Sequence, residues 1–265
     1  MGDYNARGHT HLSLVIRALL LLALLVLGKA APASADVTDR IARIVAAPPD
    51  TPIDVQITVG DVQIAAWDRD DVSVEIIRRA PDSRQLARIP AQVELGAQGL
   101  LIRAAQADAG RDAALRTDVV LRVPAGAQVR DVAVFEGRVT LAGLRGACSA
   151  RVERGDILAT HVSGAIRLET AIGAIRLEAA TLSPDGTMRL RTFNGDVALG
   201  LTAKPEHARI LALSMGGTIE SDIPLTRRER WGPRFGEATI GKGEPLISID
   251  VVNGNVAIRV AGATR

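Results

Sequence analysis

The sequence predicts an all-β chain, and within that class a parallel β-solenoid (β-helix) of roughly 18-residue coils with two short strands per coil. Three observations carry the prediction. Glycines recur every nine residues, at Gly137, Gly146, Gly155, Gly164 and Gly173. The second and fourth residues after each are all apolar, from Val139 and Leu141 to Ile175 and Leu177. After residue 46 no amphipathic helical pattern lasts longer than two turns. An apolar residue at every second place is the period of a strand with one buried face, and glycine marks the bend that opens each strand. The repeats alternate in flanking sequence, which doubles the period to 18. Parallel stacking at that period would set Ile157 between Val139 and Ile175, and about twelve coils would use the chain after residue 35. An antiparallel β-sandwich is the alternative, because it too has short strands between turns, but it does not require constant spacing.

Taken in order, residues 1–35 have the three-part layout of a secretory signal peptide. Arg7 and Arg17 supply positive charge, Ala18 to Leu27 is an unbroken apolar run, and Ala33-Ser34-Ala35 puts small residues at −3 and −1 of a cut before Asp36. Such a run spans about 15 Å as a helix, half of a hydrocarbon core of about 30 Å, so cleavage is expected rather than retention as an anchor. No cysteine lies near the cut to carry a lipid. Export to the periplasm or cell surface follows, with residues 36–265 as a single domain. The Gly-x-φ-x-φ unit opens that domain at Gly60–Ile64 and returns at Gly186–Leu190, Gly195–Leu199 and Gly254–Ile258. Alternating stretches at Val72–Ile76, Asp118–Val123, Arg209–Leu213 and Leu246–Val251 supply further strands. Residues 78–117 are less regular, and coils cannot be counted there.

These phrases carry a resemblance. "VPAGAQVRDVAVFEGRVTLAGLRG", "RGDILATHVSGAIRLETAIGAIRLE", "LRTFNGDVALGL" and "ISIDVVNGNVAIR" resemble a bacterial exported family of β-strand-repeat "putative adhesins", a domain of unknown function. "VQITVGDVQIAAWDRDDVSVEI" is similar to that family's first repeat, including the turn at Trp67-Asp68. The likeness covers residues 52 to 260. It implies a β-solenoid and a cell-envelope location, and it implies no chemistry.

Composition excludes several function classes. One cysteine rules out a disulfide framework and a cysteine-based zinc site. An aromatic content of 2% is too low for stacking platforms along a nucleic acid or glycan. The full chain has a formal charge of +2, but residues 1–35 hold Arg7, Arg17 and Lys29 against Asp3, so the rest is neutral. Nucleic acid therefore has no electrostatic warrant as a partner. Cys148 reads as a buried small hydrophobe.

Short motifs that suggest chemistry fail on their surroundings. Ala212-Leu213-Ser214-Met215-Gly216 looks like a serine-hydrolase elbow, yet His161 and His207 both precede the serine and no helix pattern follows it. Gly236 to Lys242 resembles a phosphate-binding loop, but Gly243 stands where Ser or Thr would hold magnesium, and Pro245 forbids the helix that loop needs. Arg154-Gly155-Asp156 spells an integrin-type tripeptide whose glycine the nine-residue beat already explains. The two histidines lack ligand spacing, and Asp68, Asp70 and Asp71 read as a solvated turn. No aspartate recurs after each glycine, so no calcium ladder is expected, and no cofactor is implied.

One segment departs from the beat. Residues 226–235, TRRERWGPRF, read as an arginine-rich loop. Arg227, Arg228, Arg230 and Arg234 beside Trp231 are the candidate contacts for an envelope polymer, an anionic lipid or an envelope protein. The coil around Gly254–Val260 is a candidate open edge for self-association. The sequence thus predicts a non-catalytic, exported binding or adhesion-like scaffold. The alternative is a glycan hydrolase or lyase, which would need charged residues recurring at one coil position.

Overall fold

A computed structural model describes residues 36–48, 50–106, 112–228 and 232–262; the expected signal peptide lies outside them. The first strands are β1 (Val37–Val45), β2 (Pro52–Val59), β3 (Val62–Trp67) and β4 (Val72–Ala80). A one-turn helix, α1 (Ser83–Leu86), then leads to β5 (Gln92–Gly96), β6 (Gly99–Ala104), β7 (Arg116–Pro124) and β8 (Gln128–Glu136). The glycine beat supplies β9 (Val139–Ala142), β10 (Cys148–Arg154), β11 (Ile157–Thr160), β12 (Ile166–Ile172) and β13 (Ile175–Ala180). Next come β14 (Met188–Asn194), β15 (Val197–Leu201), β16 (Ala208–Ser214), β17 (Ile219–Ser221) and β18 (Thr226–Arg228). The last are β19 (Arg234–Ile240), β20 (Leu246–Asn253) and β21 (Val256–Val260). Among the described residues no helix is long and apolar enough to cross a membrane.

All-β is right, but the expected solenoid of uniform short coils is overturned. The strands form two large open sheets, of ten and eleven strands, that face one another like a sandwich. The ten-stranded sheet runs β1-β4-β7-β3-β9-β11-β13-β15-β21-β17, and the eleven-stranded sheet runs β18-β19-β16-β20-β14-β12-β10-β8-β2-β6-β5. Both are mixed. Interior pairs are parallel, whereas β1/β4, β4/β7, β5/β6, β16/β19 and β18/β19 are antiparallel. The purely antiparallel sandwich is therefore not the answer either. The physical reason lies in the spacing. The 18-residue period holds across Gly137, Gly155 and Gly173, then gives way, and the less regular stretches fold into hairpins at the ends of the sheets. Late strands also slot between earlier ones, with β20 between β14 and β16 and β21 between β15 and β17.

Within the regular stretch the expected ladder is present: Ile157 pairs with Val139 on one side and Ile175 on the other. These residues and Val197 and Val256 line the inner face of the ten-stranded sheet, all buried. Cys148, Ile166, Met188 and Ile247 do the same from the eleven-stranded sheet. The alternating residues point outward, so the two outer faces are built from whatever the sequence places at odd positions.

The bends are held by a glycine column. Gly60, Gly137, Gly155, Gly173, Gly195 and Gly254 all take φ between 137° and 149°. A Cβ on each of the last five would meet the preceding glycine's carbonyl oxygen well inside 3.0 Å. Only glycine lets the backbones stack this closely. Beside the column, Asp61 accepts from the Arg138 amide at 2.8 Å, Asp156 from Ala174 at 2.9 Å and Asp196 from Asn255 at 2.7 Å. Thr170, Thr192 and Ser214 donate from inside to the carbonyls of Gly155, Gly173 and Gly254 at 2.8 to 3.0 Å.

Candidate ligand surface

The outer face of the eleven-stranded sheet is the most strongly patterned surface. Strand register puts Ser149, Arg167, Arg189 and Ser248 side by side across β10, β12, β14 and β20. A register shift between β8 and β10 brings Arg130 to the same level. Parallel strands lie about 4.8 Å apart, so Arg167 and Arg189 are adjacent rungs and Arg130 stands about 10 Å further along the line. Ala147, Ala165 and Thr187, each immediately before the first residue of β10, β12 and β14, form a low floor beside them. The result is a groove of about 490 Å³ lined by three arginines and no acidic residue.

Two of the three arginines have partners at the rim. Arg130 grips Asp54 with two nitrogens, its Nε lying 2.9 Å from Oδ1, and this contact raises the guanidinium pKa. Arg167 donates to Glu169, Nε to Oε1 at 2.9 Å. Arg189 makes no ion pair among the described residues. All three are exposed, and exposed pairs of this kind contribute little to stability, so the guanidinium groups are free to exchange partners.

One register step further lies a row of alternating sign: Arg151, Glu169, Arg191 and Asp250. It is a recurrent charged position that sequence reasoning missed: Arg151 and Glu169 keep the 18-residue spacing, and Arg151, Glu169 and Arg191 each stand fifth after a glycine, but Arg191 and Asp250 fall outside the constant period. Opposite charges side by side neutralise one another, and this row separates the basic groove from the exposed Phe193 beyond it.

The sequence-predicted contacts are placed differently. Arg227 donates to the carbonyl of Ile219 in β17 and Arg234 to that of Gly217 two residues before the strand, so the two guanidinium groups cover the free edge at and just ahead of β17. Arg228 lies in β18, and Arg230 and Trp231 fall outside the described residues. β18 and β19 nevertheless extend the same sheet that carries the groove. The expected open edge at Gly254–Val260 is corrected: β17 pairs with β21, and Asp222 accepts from the Val260 amide at 3.0 Å.

The other singled-out residues have local structural roles. Ser214 is wholly buried, donating to Gly254 and accepting from the Gly217 amide at 2.9 Å, and so cannot face a substrate. Asp156 of the tripeptide caps the next turn. Arg69 pairs with Asp71 and lies 4.6 Å over the Trp67 ring, whose Nε1 donates to the Asp71 carbonyl. His207 accepts from the Lys242 amide at 3.2 Å, and His161 occupies a turn with φ of 53°. Burial pushes the Cys148 thiol up to about 12. Among the described residues, no three His, Cys, Asp or Glu side chains gather to hold a metal.

No family model and no curated protein matches this chain. Solved structures to which it is similar bear the adhesin name that the sequence resemblance suggested. A "putative cell adhesion protein" of Clostridium sporogenes is 8% identical, with a TM-score of 0.38, over 84% of this chain and 100% of that one. A "putative adhesin" of Bacteroides fragilis is 13% identical at the same TM-score, covering 84% and 97%. A "putative lipid binding protein" of Parabacteroides distasonis is 10% identical, with a TM-score of 0.25, covering 84% and 97%.

Proposed function

We propose that this chain is a non-catalytic, exported cell-envelope protein that binds an extended anionic envelope polymer across the outer face of its eleven-stranded sheet. The observation that carries the reading is the line of Arg130, Arg167 and Arg189 in a groove that no acidic residue lines. Guanidinium forks match carboxylate and phosphate oxygens, and a rigid strand ladder fixes the forks about 5 and 10 Å apart. A chain of regularly spaced negative charges lying across the strands fits that line better than a single small anion. Export rests on the layout of residues 1–35. The arginines and Trp231 of segment 226–235 are retained from the sequence as a second candidate contact for the same polymer; Arg227 and Arg234 anchor its described parts to the Ile219 and Gly217 carbonyls.

The test compares two variants against an anionic cell-wall polymer and against phosphatidylglycerol vesicles. Replacing Arg130, Arg167 and Arg189 by serine is expected to weaken polymer binding by about tenfold or more at low salt. Replacing Arg227, Arg228, Arg230 and Arg234 by serine is expected to weaken it less. Unchanged polymer binding in the first variant sinks the assignment. Vesicle binding without polymer binding would move the function to a lipid surface, and shortening of the polymer during the assay would reveal a glycan hydrolase or lyase.

A further inference from the structure

The two ends of the sandwich treat their edge strands differently. At one end β17 is only three residues long; Arg227 occupies the outward carbonyl of Ile219, and Arg234 occupies that of Gly217 just before the strand. At the other end β1 is nine residues long and pairs only with β4, leaving its second edge without a strand among the described residues. Its neighbour across the sandwich is β5, the edge of the other sheet, reached by Arg43 Nη1 at 3.4 Å from the Val93 carbonyl. This end also bares apolar surface: Ile44 is 63% exposed and Leu95 48%. Ile41, Val45 and Val93 are only partly covered where they pack on the core. A long unplugged edge with exposed apolar residues is a template for another strand.

β1 reads Val37-Thr-Asp-Arg-Ile-Ala-Arg-Ile-Val45, and it complements itself when turned end for end about Ile41. Val37 then faces Val45, Thr38 faces Ile44, Asp39 faces Arg43, and Ile41 faces its own copy. Because the arrangement is two-fold, the Asp39–Arg43 pair forms twice. Arg78 engages Asp39 through Oδ2 alone, with Nε at 3.0 Å, which leaves Oδ1 for the incoming guanidinium. We propose that two copies of this chain pair antiparallel through β1, continuing the ten-stranded sheet across an isologous interface centred on Ile41. Such pairing satisfies the free edge with main-chain hydrogen bonds, while the charge pattern fixes its register. The two basic grooves of the pair would lie on one assembly, doubling the number of contacts a long polyanion can make.

Sedimentation of the wild-type protein over a wide concentration range is the first test, and a monomer–dimer equilibrium is expected. Ile41→Cys under mild oxidation is expected to give a covalent dimer, since residues facing across an antiparallel pair sit within disulfide reach. Cys148 is buried and does not compete. Thr38→Cys should not cross-link, because its two copies lie about six residues apart along the strands. Arg43→Asp, at an exposed position, is expected to weaken dimerisation by about tenfold by placing like charges opposite each other twice. A single monomeric species at every concentration overturns the proposal. Cross-linking at residue 38 as fast as at residue 41 overturns the register and the proposal with it.

Discussion

Gly155→Ala tests the glycine column on which the stacked bends depend. Gly155 has φ of +137°, in the region that side chains avoid, and a Cβ there would meet the Gly137 carbonyl oxygen well inside 3.0 Å. That oxygen is backbone and cannot swing away. The flanking amides are also committed, Gly155 to the Ile172 carbonyl at 2.8 Å and Gly137 to that of Arg154 at 2.9 Å. The conformational strain alone costs about 1–3 kcal/mol. Shifting the backbone to relieve the clash stretches two ladder bonds worth about 1 kcal/mol each, so the total is about 3 kcal/mol or more. With a urea m-value of about 3 kcal/mol/M the unfolding midpoint falls by about 1 M. Gly126→Ala is the control, because a Cβ there meets nothing within 4 Å and the backbone is not left-handed. It should stay within about 0.5 kcal/mol of wild type or gain slightly. If Gly155→Ala unfolds at the same urea concentration as wild type, the stacked-glycine account is wrong.

Further outcomes follow from the buried hydroxyls and titrating groups. Thr117 Oγ1 is buried without a hydrogen-bond partner among the described residues, so Thr117→Val is expected to stabilise by about 1 kcal/mol, while Thr192→Val, which removes the hydroxyl donor to the Gly173 carbonyl, should cost about 1–2 kcal/mol by urea titration. Burial alone would raise the Asp118 carboxyl, but the Asp61 amide at 3.0 Å and the Arg79 and Arg116 guanidinium groups outweigh it and hold it below its ordinary 3.8. A lowered carboxyl contributes stability that is full above the ordinary value and is lost as pH falls through the folded one. Wild type should therefore exceed Asp118→Asn in stability at pH 6 by a margin that shrinks below about pH 4, and a margin independent of pH would contradict the assignment. Cys148 should resist a thiol reagent at pH 8 until the protein is unfolded, since burial pushes its thiol up to about 12; rapid native-state labelling would contradict its placement.

Strand identity was legible in the sequence because it depends on local alternation. The Gly-x-φ-x-φ units became strands, and the ladder through Val139, Ile157 and Ile175 has the register that their spacing implies. Sheet order was not legible, because it depends on which distant strands compete for an edge. Val256 stacks on Val197 across an interval of 59 residues, and no periodicity in the chain marks that partnership. The antiparallel hairpins that cap both sheets arise where the beat fades, so a fold extrapolated from the beat was bound to miss them. The same holds for the surface. Arg167 and Arg189 each stand third after a glycine of the set that feeds the eleven-stranded sheet, a signal present in the sequence. Arg130 is out of phase by the bulge between β8 and β10 and joins them only once the strands are paired. In the segment 226–235 charge density was visible, but the use of Arg227 on the Ile219 carbonyl and of Arg234 on the Gly217 carbonyl required the other sheet to be in place.

In the proposed function, polymer binding belongs to one face of one sheet. Its most direct test is the affinity of the protein for an anionic cell-wall polymer after charge reversal at either of two exposed arginines. Arg189 lies in the groove of the eleven-stranded sheet, and Arg176 lies on the ten-stranded sheet, paired in register with Leu158 and Ala198. Both substitutions change net charge equally, so nonspecific attraction falls alike in the two. The expected result is a loss of about tenfold or more for Arg189→Glu with little change for Arg176→Glu. Equal losses in both would contradict a groove-specific site and reduce the binding to overall charge.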